Sequence, residues 1–432
     1  MTILSAILLA LSFPKANLFF LSWFCLVPLI ANIKKKNAAR EGLLFGLVFF
    51  GINLFWVTTL SDYAGFWAIA GYVALVLFQA VYFAAAAVLI KPAPAFAIPF
   101  IWVAVEWLRT QTPFGISAGN LCYSQVHFLP MIQTAPFITS YGISFLIVLI
   151  NTLLFSKRFI AAVLVVASLV IYGITELDRP LVQNEKSLSV SIIQANIPQE
   201  KKLDPAYALP SFDKYIYLSR QVKNADIIIW PETAVTNYLM DSPLLLDLVR
   251  ELAIEKKAHL LIGTPYYDKG MIYNSLVAFS PKGAVVGAYN KQHLVPFGEY
   301  LPFRKLLYPM LKNSGFFDAD FNSDPNPKLI EINGIKIGAL ICFESTFPNL
   351  AKERVAKGAD ILLTVTNDGW FKDSSALQEH LNMGIMRAVE NRKYFIQAAN
   401  TGISAVIDPY GRILKQSKIN ETAVLSFELM RP

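Results

Sequence analysis

The apolar residues of this chain are unevenly placed, and that unevenness limits what it can fold into. Almost all the apolar excess lies before Gly173; from Glu176 onward the composition is that of a water-soluble α/β domain. Overall the chain is 55% hydrophobic and 16% charged, with mean hydropathy +0.45, whereas a soluble protein is about a quarter charged. The reading is a multi-span α-helical membrane domain over residues 1–175, then an α/β domain over residues 187–432, joined between them.

Seven apolar runs are candidate spans: residues 2–13, 18–33, 43–60, 66–90, 95–108, 134–155 and 159–174. The first is short for a span, which needs about 17–25 residues. It has no basic flank or small-residue cleavage site to make it a secretory signal. Short-loop bases set the orientation. Lys34, Lys35, Lys36 and Arg40 place one loop in the cytoplasm, and counting crossings puts Lys91, Lys157 and Arg158 there too. The α/β domain is then expected outside. Glu106 and Arg109, three apart at the end of a span, read as a pair that neutralises itself at the interface, with headgroup binding as the alternative.

In the second half, apolar strands alternate with amphipathic helices, which indicates layered α/β packing. Three strands deliver chemistry at their ends. Residues 336–341 lead to Cys342, residues 226–230 to Pro231 and Glu232, and residues 287–290 to Lys291. A cysteine where a strand gives way to a helix exposes its sulfur at a sheet rim beside backbone N–H groups. Taken alone, Cys342 is as readily a small buried hydrophobe. Beside a Glu and a Lys the set is chemically complete: Glu232 as general base, Lys291 as the charge that stabilises thiolate and oxyanion.

Trp-Pro-Glu, Asn-Lys-x-x-Leu-Val-Pro-Phe-Gly-Glu and Cys-x-Glu, in this order, resemble the nitrilase superfamily. With the residues 295–300 and the long apolar N-terminal half, the chain is similar to the bacterial apolipoprotein N-acyltransferase family, membrane enzymes that add the third acyl chain to lipoproteins. The resemblance covers nearly the whole chain. It implies an α-β-β-α sandwich, a Glu232–Lys291–Cys342 triad and supporting roles for Glu299 and Glu344, either of which could orient Lys291. It implies a phospholipid acyl donor and a diacylglyceryl apolipoprotein acceptor. It also implies the bacterial cytoplasmic membrane, with the catalytic domain on its outer face. Leu203 stands where the family has Trp, and Phe343 where it usually has Tyr. One further transmembrane helix commonly follows the last strand in the family; this chain stops at Pro432.

Residues 300–317 are apolar with interleaved Arg304, Lys305 and Lys312. Two readings are open: a helix packed on its own domain, or a lid dipping into the membrane through Phe303, Leu307 and Phe316. A phospholipid donor favours the lid.

The net charge of +7 comes without a basic cluster interleaved with aromatics, so nucleic acid is not indicated. Three cysteines are too few for a disulfide framework. His127, His259, His293 and His380 lack ligand spacing, so no metal or cofactor is implied. Two alternatives stay open: a membrane-tethered amidase or nitrilase using water as acceptor, and a catalytically inactive membrane scaffold.

Overall fold

The computed structural model describes residues 1–112, 114–180, 187–311 and 320–430. The chain forms two compact units: Met1–Arg179 with Ser374–Arg392, and Pro180–Asp373 with Lys393–Pro432.

The first unit is helical: α1 (Thr2–Leu11), α2 (Val27–Lys35), α3 (Ala38–Asn53), α4 (Ser61–Ala64), α5 (Phe66–Ile90), α6 (Ile98–Leu108), α7 (Leu129–Ile132), α8 (Ala135–Phe155) and α9 (Phe159–Leu177). Three of these, α5, α8 and α9, are long and apolar enough to cross a bilayer. The 25 residues of α5 reach about 37 Å, more than the ~30 Å hydrocarbon core. A fourth crossing exists if α3 and the following Phe55–Ala64 segment, bent by 54°, count as one span. The other expected spans are shorter or broken. Residues 18–33 divide into a 3-10 turn at Phe19–Trp23 and α2, with Pro28 at the start of the helix where its missing N–H is harmless. Thr2–Leu11 and Ala95–Leu108 are apolar but short.

The α3–α5 contact rests on small residues one turn apart. A Cβ on Gly42 would lie 2.3 Å from the Phe83 carbonyl oxygen, and one on Gly46 2.6 Å from Ala80 Cα. Only glycine lets the backbones approach so closely, the usual solution where lipid removes the hydrophobic drive between helices. Glu106 and Arg109 are both buried and each lies in the other's field, but their hydrogen bonds go to other groups. Glu106 accepts from Trp102 Nε1 (3.1 Å) and Leu121 N (2.9 Å). Arg109 donates to the carbonyls of Ile116 and Ala118 and lies over the Phe50 ring.

The second unit contains α10 (Gln199–Leu203), α11 (Ala208–Arg220), α12 (Pro243–Lys256), α13 (Arg304–Leu311) and α14 (Pro348–Ala356). Helix α15 (Ser375–Asn391), which sequence alone places with this half, clusters instead with the first unit. Its charged face explains this: Arg387 reaches Tyr123 (3.3 Å), Glu390 accepts from Ser140 N (2.6 Å), and Arg392 beyond its end donates to Gln133 (2.7 Å).

Among the described residues, twelve strands make two six-stranded sheets. They are β1 (Ser187–Gln194), β2 (Ile227–Trp230), β3 (His259–Asp268), β4 (Met271–Phe279), β5 (Val285–Asn290), β6 (Ile330–Ile332), β7 (Ile335–Ile341), β8 (Ile361–Thr366), β9 (Tyr394–Ala399), β10 (Ala405–Ile407), β11 (Ile413–Gln416) and β12 (Ala423–Met430). The orders are β12-β1-β2-β3-β4-β5 and β11-β10-β9-β8-β7-β6. Each has three adjacent parallel strands at its heart, β1-β2-β3 and β7-β8-β9, with antiparallel strands outside.

One apolar layer joins the inner faces: Val190, Ile192, Ile227 and Ile229 from the first sheet, Ile337, Ala339, Ile341, Leu363 and Ile396 from the second. Alternate residues point the other way, so Ile228, Trp230, Leu260 and Ile262 pack on Phe212, Tyr215, Val249 and Leu252 of α11 and α12. The result is the expected layered α/β sandwich. Strands β6, β11 and β12 were not expected from sequence. The first forms a hairpin with β7 across Asn333-Gly334, both at positive φ, as a tight two-residue turn requires.

Candidate active site

The parallel strands all present their C-terminal ends at one edge of each sheet, and the candidate residues sit there. Strand β2 ends at Trp230, whose ring is fully buried, stacks on Tyr215 and donates from Nε1 to Ser219 (2.8 Å). This anchors the chain just before Pro231-Glu232. Gly263 on β3 makes room for it: a Cβ there would lie 2.2 Å from the Pro231 carbonyl oxygen and 2.7 Å from Glu232 Cα.

Glu232 is 7% exposed. Its Oε1 accepts from Asn274 Nδ2 (2.8 Å) and Lys291 Nζ (3.5 Å), and its Oε2 from the Asn367 backbone N–H (2.8 Å). Lys291, just after β5, is 1% exposed and donates to Glu299 Oε1 at 2.9 Å. Burial alone would lower the lysine's pKa; Glu299 and Glu232 outweigh it and raise it, so the ammonium persists. Asn274 also donates to Glu299 Oε1 (2.7 Å), so one amide group ties the two carboxylates together. The other Glu299 oxygen accepts from Val295 N (2.8 Å).

Cys342 follows β7 and begins a 3-10 turn, Cys342–Thr346, with φ of 53°. A left-handed conformation costs a non-glycine residue about 1–2 kcal/mol, so neighbouring contacts must hold it. Ser345 Oγ donates to the Cys342 carbonyl (2.9 Å), and Glu344 Oε2 accepts from Ile341 N (2.6 Å). Cys342 lies in the fields of Glu232, Lys291 and Asp368. Burial, then Glu232, push its thiol well above the usual range, and Lys291 only partly offsets them. The resting sulfur is therefore protonated and needs a base to become a nucleophile.

Glu299 touches Lys291; Glu344 acts elsewhere. Its Oε1 accepts from Gln292 N (2.7 Å) and His293 N (2.9 Å), and its Oε2 from Tyr289 Oη (2.7 Å) as well as Ile341 N. Glu344 thus binds the strand end carrying Lys291 to the strand end carrying Cys342. Arg354, fully buried, braces the arrangement by donating to Tyr289 Oη (2.8 Å), Gln292 Oε1 (2.9 Å) and the Ala339 carbonyl (3.1 Å).

Asn367, just after β8, bonds Glu232 directly. Sequence reasoning passed over Asn274 altogether. An amide in mid-strand, where β-branched and apolar residues dominate, was the available signal. Among the lid candidates, Phe303 is 70% exposed just before α13 and Leu307 is half-buried within it. Phe316 lies outside the described residues.

Residues 189–431 match the carbon-nitrogen hydrolase family, and residues 5–153 match the apolipoprotein N-acyltransferase N-terminal domain. The apolipoprotein N-acyltransferase of Geobacter metallireducens is 34% identical, over 99% of this chain and 88% of its own. Those of Methylococcus capsulatus (32%, 93% and 83%) and Aquifex aeolicus (31%, 98% and 97%) are similar along nearly the same length. With both halves matched, the chain belongs to the apolipoprotein N-acyltransferase family of the carbon-nitrogen hydrolase superfamily.

Proposed function

We propose that this protein transfers an acyl chain from a membrane phospholipid to the free α-amino group of a diacylglyceryl-modified N-terminal cysteine on apolipoproteins. The observation that carries the chemistry is the convergence of Glu232, Lys291 and Cys342, with the carboxylate held by three donors and the cysteine held in a strained turn. Cys342 Sγ attacks the ester carbonyl while Glu232 takes the thiol proton. The protonated thiol makes this base necessary. Lys291 stabilises the tetrahedral oxyanion. The ester C–O bond then breaks, and Glu232 returns the proton to the departing lysophospholipid oxygen. In the second half the amine nitrogen attacks the thioester carbonyl, its proton passes to Glu232, and the C–S bond breaks to restore the thiol.

Two features support a lipid substrate. Among the described residues, three helices are long and apolar enough to cross a membrane. Phe303 just before the short basic helix α13 and Leu306 within it are each 70% exposed, suited to a lid meeting lipid. The basic loops at residues 34–40 and 157–158 support a catalytic domain on the outer face of the bacterial cytoplasmic membrane. Protease added to intact spheroplasts should then cut that domain; protection until lysis reverses the topology.

The function is tested by the mass of a lipoprotein N-terminal peptide from cells carrying wild type or Cys342→Ala at equal membrane levels. One extra acyl chain with wild type alone supports the reading. Acylation by the variant requires another nucleophile.

A further inference from the structure

The proposed mechanism leaves unused a half-buried cation beside Glu232. Lys202, on α10, sends its Nζ to the Glu232 carbonyl oxygen (3.2 Å) and to Thr233 Oγ1 (2.9 Å). Thr233 has φ of 45°, a left-handed conformation that is a genuine outlier for a β-branched residue. Nothing local to a threonine favours that turn, so it persists only where surroundings impose it. The turn matters because it aims the Glu232 carboxylate. The same short helix reaches the other side of that carboxylate: Gln199 Oε1 accepts from Asn367 Nδ2 (2.8 Å), and the Asn367 N–H is the donor to Glu232 Oε2.

We propose that Lys202 is a positioning residue for acyl transfer, clamping the strained Glu232–Thr233 turn so that the Glu232 carboxylate stays aligned with Cys342. The inference rests on the acyltransfer reading above. The electrostatics agree with it. Burial pulls the Lys202 pKa down from 10.5 to about 7, against the opposing fields of Glu232 and Cys342. A lysine kept there against its desolvation is placed for its hydrogen bonds and its neighbours, since a simple packing role would suit an apolar residue better. A base displaced by even about 1 Å can slow its step on the order of a hundredfold, so a clamp this close has leverage over rate.

The test is a double-mutant cycle between Lys202→Met and Thr233→Gly. Glycine accepts the left-handed turn without strain and removes one of the two acceptors. The readout is single-turnover formation of the covalent acyl adduct on Cys342, by intact-protein mass spectrometry. The full-length protein is used, with phosphatidylethanolamine in detergent micelles. Lys202→Met is expected to slow adduct formation about 10- to 100-fold at an unchanged half-saturating lipid concentration, and to cost much less in the Thr233→Gly background. Lys202→Gln, which keeps an N–H donor, should recover part of the rate. It goes through the same cycle if Lys202→Met fails to accumulate. Wild-type rates in Lys202→Met, a change confined to lipid half-saturation, or equal losses in both backgrounds overturn the inference. Absence of any adduct on the wild type overturns the acyltransfer reading itself, so the two failures are distinguishable.

Discussion

Replacing Glu344 by Gln isolates the brace between the Lys291 and Cys342 strand ends. The carboxylate takes four donors, two on each oxygen: Gln292 N and His293 N on Oε1, Ile341 N and Tyr289 Oη on Oε2. An amide of the same shape replaces one oxygen by NH2, which can only donate. If the NH2 faces Gln292 and His293, two buried backbone N–H groups lose their acceptor. Facing Ile341 and Tyr289 is better, because the tyrosine oxygen can accept, but Ile341 N–H is still orphaned. One orphaned buried donor costs about 1–3 kcal/mol. Ile341 immediately precedes the strained Cys342, so that energy is withdrawn from the contacts holding φ at 53°. If it all appears as loss of the competent turn, acylation of Cys342 falls about 5- to 150-fold. Unfolding temperature falls by only a few degrees, since about 1 kcal/mol shifts a domain of this size by 2–4 °C. Single-turnover adduct formation and detergent thermal melts on the same preparation measure both. A wild-type acylation rate with a normal melt refutes the bracing role.

Other expectations are as specific. Glu232→Gln should abolish transfer and slow iodoacetamide alkylation of Cys342, because burial still holds the thiol protonated and its base is gone; a wild-type alkylation rate contradicts the assignment. Glu379 on α15 is buried with Oε1 unpartnered, and burial raises its pKa from 4.5 to about 8, against weaker opposing bonds from Ser375 and Trp56. The folded state therefore binds the extra proton, and stability should fall as pH rises through roughly 4.5 to 8, by at most about 1.4 kcal/mol per unit. Melts of Glu379→Gln should show that slope flattened; an unchanged slope places the titration elsewhere. Phe303→Ser with Leu306→Ser should weaken use of phospholipid in bilayers more than use of a detergent-dispersed short-chain ester, each side chain contributing up to about 1.5–3 kcal/mol if it inserts; equal losses favour packing within the domain.

The triad positions were legible because each follows an apolar β run that ends abruptly in a reactive side chain, so sequence alone puts Glu232, Lys291 and Cys342 at strand ends. The division of labour between Glu299 and Glu344 was not. Both are carboxylates near Lys291 in sequence terms, and only the fold reveals that one meets the ammonium and the other four N–H and O–H donors. Asn274 and Lys202 act through contacts across 42 and about 30 residues of chain, a separation that local pattern does not encode. Strand periodicity exposed the central parallel strands but missed β6 and β11, which are three and four residues long, and β12, whose burial is only partial. In the membrane half, hydropathy located the apolar runs without their breaks: Pro28 and the bend after Asn53 turn continuous-looking runs into shorter pieces. Helix α15 looks like any amphipathic helix of the α/β half, and its affiliation depends on Arg387, Glu390 and Arg392 finding partners far back in the chain.

The proposed route runs through a covalent acyl-Cys342 intermediate protected from water until an amine arrives. The most direct measurement of it is the intact mass of the full-length protein after incubation with phospholipid and no acceptor, beside Cys342→Ala. An increase of one acyl chain is expected on wild type only. The adduct should be labile to neutral hydroxylamine as a thioester is, discharged by a diacylglyceryl peptide with a free α-amine, and untouched by the same peptide N-blocked. Rapid release of free fatty acid with no adduct on Cys342 contradicts it and makes the protein a hydrolase.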